Sequence, residues 1–198
     1  MKLSIVAVFG IVLGGSALKL PFTPSYTDSK EAVRSHENYI LVGEYIAKDS
    51  RTALQANMLP SGHFLVAIYQ GGLPGAAWDG SKIDSKVMDA DSLKTRLSEY
   101  TRMDRQSPTL GKAAPKNAAL VFPDDFTNVV KGVMMPGGQT DRELESFHMH
   151  LEFMLPFKPG RNLSNQDRGN SGIYIFNNYE IQIIDSFGLD LNLSLIHI

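Results

Sequence analysis

Apolar positions in this chain fall in short runs, many of them alternating with polar ones, and long stretches with the three-to-four spacing of an amphipathic helix are few. Between residues 39 and 70, "YILVGEYIA", "TALQANML" and "HFLVAIYQ" read as strands. The last two are separated by Pro60, Ser61 and Gly62, a turn signal that predicts a hairpin. The glycine-rich "GGLPGAAWDG" that follows predicts a tight loop pinned by Trp78. Strand-type patterning resumes after Ala118 with "AALVF", "VVKGVMM", "SFHMHLEFML" and "GIYIFNNYEIQIIDSF", separated by "PGG" and "KPGRNLSNQDRGN". Residues 81–117 between the two blocks mix charges, one short helix around Asp91 to Tyr100, and an Ala/Pro/Lys segment. They are expected to act as a connector.

Several short strands divided by turn residues predict a mostly β protein built as an antiparallel sandwich. Composition agrees: 10 Pro and 17 Gly favour turns, and 43% hydrophobic with 20% charged residues is ordinary for a folded soluble domain. A formal charge of −2 gives no basic excess, which argues against nucleic acid and against an anionic membrane surface as partners.

The N-terminus, "MKLSIVAVFGIVLGGSALKLPF", has one Lys, an apolar run from Leu3 to Leu13, and small residues at Gly15 and Ala17. This is the pattern of a signal peptide over residues 1–17, and it places the mature protein in the periplasm or outside the cell. The run is glycine-broken and shorter than the roughly 20 apolar residues that cross a bilayer. Residues 18–35 read as a polar linker and residues 36–80 as a small β-rich region, with the second block spanning 118–192. The chain has 0 Cys, so the fold depends on its core alone, and thiol nucleophiles and thiolate metal sites are excluded.

Two segments carry titratable residues in an alternating pattern. As a strand, "FHMHLEF" would put Phe147, Met149, Leu151 and Phe153 on one face and His148, His150 and Glu152 on the other. In "YEIQII", Glu180 and Gln182 share a face with Ile184, opposite Tyr179, Ile181 and Ile183. The plain alternative is a solvated outer face, which antiparallel sheets often have. Such faces usually carry Lys, Arg, Thr and Ser, whereas His, Glu and Gln are acid/base and ligand types. The preceding "RGNSG" sets Asn170 and Ser171 between glycines, where a hydroxylated ligand can approach the backbone closely.

At these residues, "FHMHLEFMLPFKPG" and "RGNSGIYIFNNYEIQIIDSFG", the sequence resembles the 3-keto-disaccharide hydrolase family, also described as 3-keto-glucoside 1,2-lyase and 3-keto-2-hydroxyglucal hydratase domains. The likeness runs from about Phe126 to Gly188. It implies a concanavalin A-like jelly roll, incomplete in this chain, whose concave face holds a sugar. It further implies net hydrolysis of a 3-keto-glycoside by elimination and rehydration. The family positions matched are Glu152, Gly169, Asn170, Ser171, Gly172, Tyr179, Glu180, Gln182 and Asp185. His150 or Glu152 is then the expected base and Glu180 the acid or a metal ligand, with Asn170, Ser171, Gln182 and Asp185 binding substrate. Hydrogen-bond donors or a divalent metal would stabilise the enolate. A carbohydrate-binding jelly roll without catalysis and a two-carboxylate glycoside hydrolase are the alternatives. Relatives continue past "DSFG", so the domain is expected to be truncated. Residues 193–198, "LSLIHI", match the translation of a transposase-end sequencing adapter and are expected to be an artefact.

Overall fold

The computed structural model describes residues 4–7, 25–81, 83–119, 124–130, 133–135, 137–163, 166–175 and 178–189. The predicted cleavage site at Gly15 and Ala17, most of "AALVF", Phe176 and Asn177, and the 193–198 tail lie outside them. Strands account for 34% of the structure against 15% helix, and the sheets are antiparallel and open.

In chain order the elements are β1 (Ser4–Ala7), α1 (Ser29–Ser35), a 3-10 turn at Glu37–Leu41, β2 (Gly43–Ala47), β3 (Thr52–Met58) and β4 (Phe64–Gln70). Next come β5 (Asp84–Met88), α2 (Ala90–Leu97), β6 (Tyr100–Met103), β7 (Val129–Val130), β8 (Val133–Met134) and β9 (Gly138–Gln139). A second 3-10 turn at Gln166–Arg168 leads into β10 (Asn170–Ile175) and β11 (Tyr179–Ile184).

The larger sheet has the order β5-β4-β3-β2-β6. Its centre is the predicted β3–β4 hairpin, with Met58 opposite Phe64 and Thr52 opposite Gln70. Six of the seven β3 residues are buried, so both faces of this strand are covered. Leu54, Ala56 and Met58 join Leu41, Tyr45, Phe64, Val66, Ile68 and Leu93 in the main core. Leu93 reaches that core from α2, whose first turn is capped by the Asp89 carboxylate accepting from the Ser92 N–H at 2.8 Å. On the opposite face Ala53, Ala67, Tyr69 and Leu73 form a smaller cluster. Trp78 packs edge-on against Tyr69, the aromatic anchor expected of the 71–80 loop. Gln55 and Asn57 share this second face, and both are buried.

Three segments differ from expectation. Residues 81–117 are not solely a connector, because β5, α2 and β6 within them complete the larger sheet. The 18–35 linker contains α1, capped by Asp28, and Tyr26 pairs with Phe157 through hydrogen bonds of 2.9 and 2.8 Å. "SFHMHLEFML" forms no strand. Its apolar residues Phe147, Leu151 and Leu155 pack on the second core at a spacing of four, while Met149 and Phe153 are exposed, the latter by 60%. Four-residue spacing to a core in an irregular segment defeats a reading based on alternation alone.

The smaller sheet has the order β11-β10-β1-β9, and β7 pairs only with β8. Its core is Phe126, Ile173 and Ile183, flanked by Val129, Met134, Phe147, Leu151, Leu155 and Ile175. β1 falls inside the segment expected to be a leader, and it pairs with β10 from Ser4–Tyr174 to Ala7–Ser171. Among the described residues no helix is long and apolar enough to cross a membrane.

Candidate functional site: one face of the terminal hairpin

The register of β10 and β11 decides which side chains meet. Asn170 lies opposite Ile184, Gly172 opposite Gln182, and Tyr174 opposite Glu180. Cross-strand partners share a face and alternate residues point the same way, so Asn170, Gly172, Tyr174, Glu180 and Gln182 occupy one side of the hairpin. Ser171 falls on the other side with Ile173 and Ile183, which are buried in the smaller core. Ser171 therefore does not join Asn170 in a common binding face. The alternation that fixed Glu180 and Gln182 applies equally to "NSG", where neighbours must point apart.

Within the polar face, the Gln182 carboxamide donates to Asn170 Oδ1 at 3.1 Å, and Asn170 Nδ2 donates to Gln166 Oε1 at 3.1 Å. These three side chains form a carboxamide row that is open to solvent at Gln182 and Gln166. Beside it the Tyr174 hydroxyl hydrogen-bonds the Glu180 carboxylate. Partial burial first, and that carboxylate second, push the phenol above its ordinary pKa. A β-carbon added at Gly172 would collide with the Glu180 carboxylate. An added β-carbon would push that carboxylate, the movable end of the Glu180 side chain, from its place across β10.

Asp185 has a different role from the one expected. Its Oδ2 accepts from Arg168 Nε at 3.1 Å, in an ion pair whose side chains are 10% and 3% exposed. The Asp185 N–H donates to the Gly169 carbonyl at 2.8 Å, closing the end of the hairpin. Asp185 is a structural tie at the base of the polar face, beside a shallow cleft. In sequence Arg168 opens the "RGNSG" loop with Asn170 and Ser171, but a basic residue 17 positions before Asp185 gives no pattern that pairs the two.

His150 and Glu152 form a separate pair. His150 Nε2 is 3.2 Å from Glu152 Oε1, and the same oxygen accepts the Gly111 N–H at 2.6 Å. That N–H, then the imidazole, hold the Glu152 carboxyl below its usual range. Both residues are exposed. The strand expected to aim them at Glu180 does not exist, and their partners are each other and Gly111. Among the described residues no three His, Asp or Glu side chains converge to hold a metal ion.

A shallow cleft of about 190 Å³ adjoins the base of the hairpin, lined by Val42, Asn57, Phe157, Arg168, Asp185 and Phe187 among others. No family model, no curated protein and no solved structure matches this chain. The resemblance to 3-keto-disaccharide hydrolases accordingly rests on its quoted motifs.

Proposed function

We propose that this chain carries the sugar-binding face of a secreted enzyme that cleaves 3-keto-glycosides by elimination and rehydration, on a jelly-roll scaffold. The observation that supports this reading is the gathering of Asn170, Gln182, Glu180 and Tyr174 on one accessible face of the β10–β11 hairpin. Carboxamides both donate and accept, which suits sugar hydroxyls, and in a carboxylate–phenol pair the carboxylate can accept one proton while the phenol gives another.

In the proposed reaction the ketone at carbon 3 acidifies the hydrogen on carbon 2. Glu180 takes that proton, and the electron pair becomes the carbon 1–carbon 2 double bond as the bond from carbon 1 to the leaving oxygen breaks. Tyr174 donates its proton to the departing oxygen. Water then adds its hydroxyl to carbon 1 and gives its other proton to the Tyr174 phenolate, while the proton held by Glu180 returns to carbon 2, so the sum is hydrolysis. Asn170 and Gln182 hold hydroxyls and fix the ring against Glu180. In the second pair, His150 is the alternative base. Glu152, bonded to the Gly111 N–H and to His150, orients that imidazole.

The test is incubation of protein expressed from its locus with a 3-keto-glucoside, following loss of the ketosugar. Wild type should consume it and Glu180→Gln should not, while His150→Ala at the wild-type rate would assign proton removal to Glu180. Saturable binding without consumption would instead make this a carbohydrate-binding module. Turnover of unoxidised glycosides would indicate a two-carboxylate hydrolase.

A further inference from the structure

The polar face of the hairpin is tied to the opposite sheet through a buried chain of hydrogen bonds. Asn57, on β3 and 1% exposed, accepts from Arg168 Nη2 at 3.1 Å and donates from Nδ2 to the Phe187 carbonyl at 2.7 Å. Its neighbour two positions earlier, Gln55, accepts the Gly188 N–H at 3.0 Å and the Tyr69 hydroxyl at 2.6 Å on one oxygen. Gln55 Nε2 donates to Glu44 Oε1 at 2.7 Å, and Glu44 takes a forked contact from Arg105 at 2.6 and 2.5 Å. Gly188 sits at φ +69 with room for the turn to approach β3, its nearest neighbours there being Asn57 and Gln55 themselves.

Three of these links reach the ends of the hairpin: Arg168 to Asn57 before β10, and Asn57 to Phe187 and Gly188 to Gln55 just after β11. Arg168 fixes the turn that precedes Asn170, and it shares Asp185, which follows Ile184. The carboxamide row Gln166–Asn170–Gln182 is built on those same two ends. A guanidinium is a rigid planar fork, so holding one of its nitrogens on Asn57 and another on Asp185 sets its position and orientation together. We propose that Asn57, with Gln55 beside it, is a positioning residue for the polar face. The larger sheet is then the template that sets the spacing of Asn170 and Gln182, and not an independent neighbouring module.

This inference rests on the sugar-binding reading only for its consequence in catalysis; the positioning itself is testable without substrate. The measurement is the side-chain amide spectrum of Asn170 and Gln182 in 15N-labelled, ligand-free protein. Asn57→Ala is expected to shift both pairs of amide resonances. Asn57→Asp, which keeps the acceptor for Arg168 but loses the donor to the Phe187 carbonyl, is expected to shift them less than Asn57→Ala. Ile68→Val, a mild loosening of the core on the other face of the sheet, should lower the unfolding midpoint without moving them. With a 3-keto-glucoside, Asn57→Ala should raise KM roughly tenfold with kcat nearly unchanged, because ring placement is impaired while the reacting pair is intact. If Asn57→Ala does not fold, Arg168→Lys takes its place, since an ammonium cannot span Asn57 and Asp185. Unmoved Asn170 and Gln182 amides in the folded variant overturn the inference, as does an equal shift in Ile68→Val. If wild type neither binds nor consumes the ketosugar, the proposed function fails, and the ligand-free spectra still decide the positioning.

Discussion

Single residues set the geometry of the hairpin face in ways that substitution can expose. A β-carbon at Gly172 would meet the Glu180 carboxylate, which must then shift. Gly172→Ala should displace Glu180 from Tyr174 and lower ketosugar turnover by at least an order of magnitude, with a stability loss of only about 1 kcal/mol. Steady-state kinetics beside a urea titration would check both; full activity would show that the carboxylate tolerates displacement. Glu44 makes a pH-dependent contribution. Burial acts to raise its pKa, but the hydrogen bonds from Arg105 and Gln55 and the Arg105 charge outweigh it, leaving the carboxyl below its ordinary value. A lowered folded-state pKa adds stability above the unfolded pKa, and that stability is lost as pH falls through the folded value. Thermal midpoints should therefore decline on acidification, and Glu44→Gln should show a shallower decline over the same acid range. Parallel curves would mean that Glu44 contributes no linkage.

Among the elements, β3 carries the most. With one face in the main core and the other under the 185–188 turn, it has no exposed side to absorb a change. Leu54→Ala should cost about 2–5 kcal/mol in equilibrium unfolding, the usual range for emptying a buried leucine position. A loss under 1 kcal/mol would mean the surrounding core collapses to fill the space. How far each element was legible in sequence follows from the same physics. The β3–β4 hairpin and the β10–β11 face were readable because alternation and turn residues are local, and the structure brings Glu180, Gln182 and Asn170 together. "FHMHLEF" was misread because an irregular segment can also alternate apolar and polar residues, and its contacts to the core are set by distant partners. Ser171 was misplaced by grouping neighbours in a motif without applying their opposite directions. The role of Asp185 was not legible, since its partner Arg168 lies 17 residues before it and that guanidinium is in turn held by Asn57, 111 residues before Arg168. β1 raises a further point: a protein without residues 1–17 leaves the β10 edge unpaired from Ser171 to Tyr174. Amide exchange at those residues should be faster in that form than in the full chain, and equal protection would show that β1 does not hold the edge.

At the scale of the whole molecule, the two β blocks meet through buried polar groups: Arg168, Asn57 and Gln55 lie at 3%, 1% and 7% exposure. Such groups are costly unless all are satisfied, so this contact favours one alignment of the blocks over any slipped one. The fold thereby holds one accessible polar face, Asn170, Gln182, Glu180 and Tyr174, over a fixed base. The most direct test is to titrate 15N-labelled protein with a 3-keto-glucoside and follow the side-chain amides of Asn170 and Gln182. Saturable shifts in both, lost when the same sugar lacks its hydroxyl groups, are the predicted result. Amides that stay in place at saturating ketosugar, or shifts confined to residues around His150 and Glu152, would contradict it.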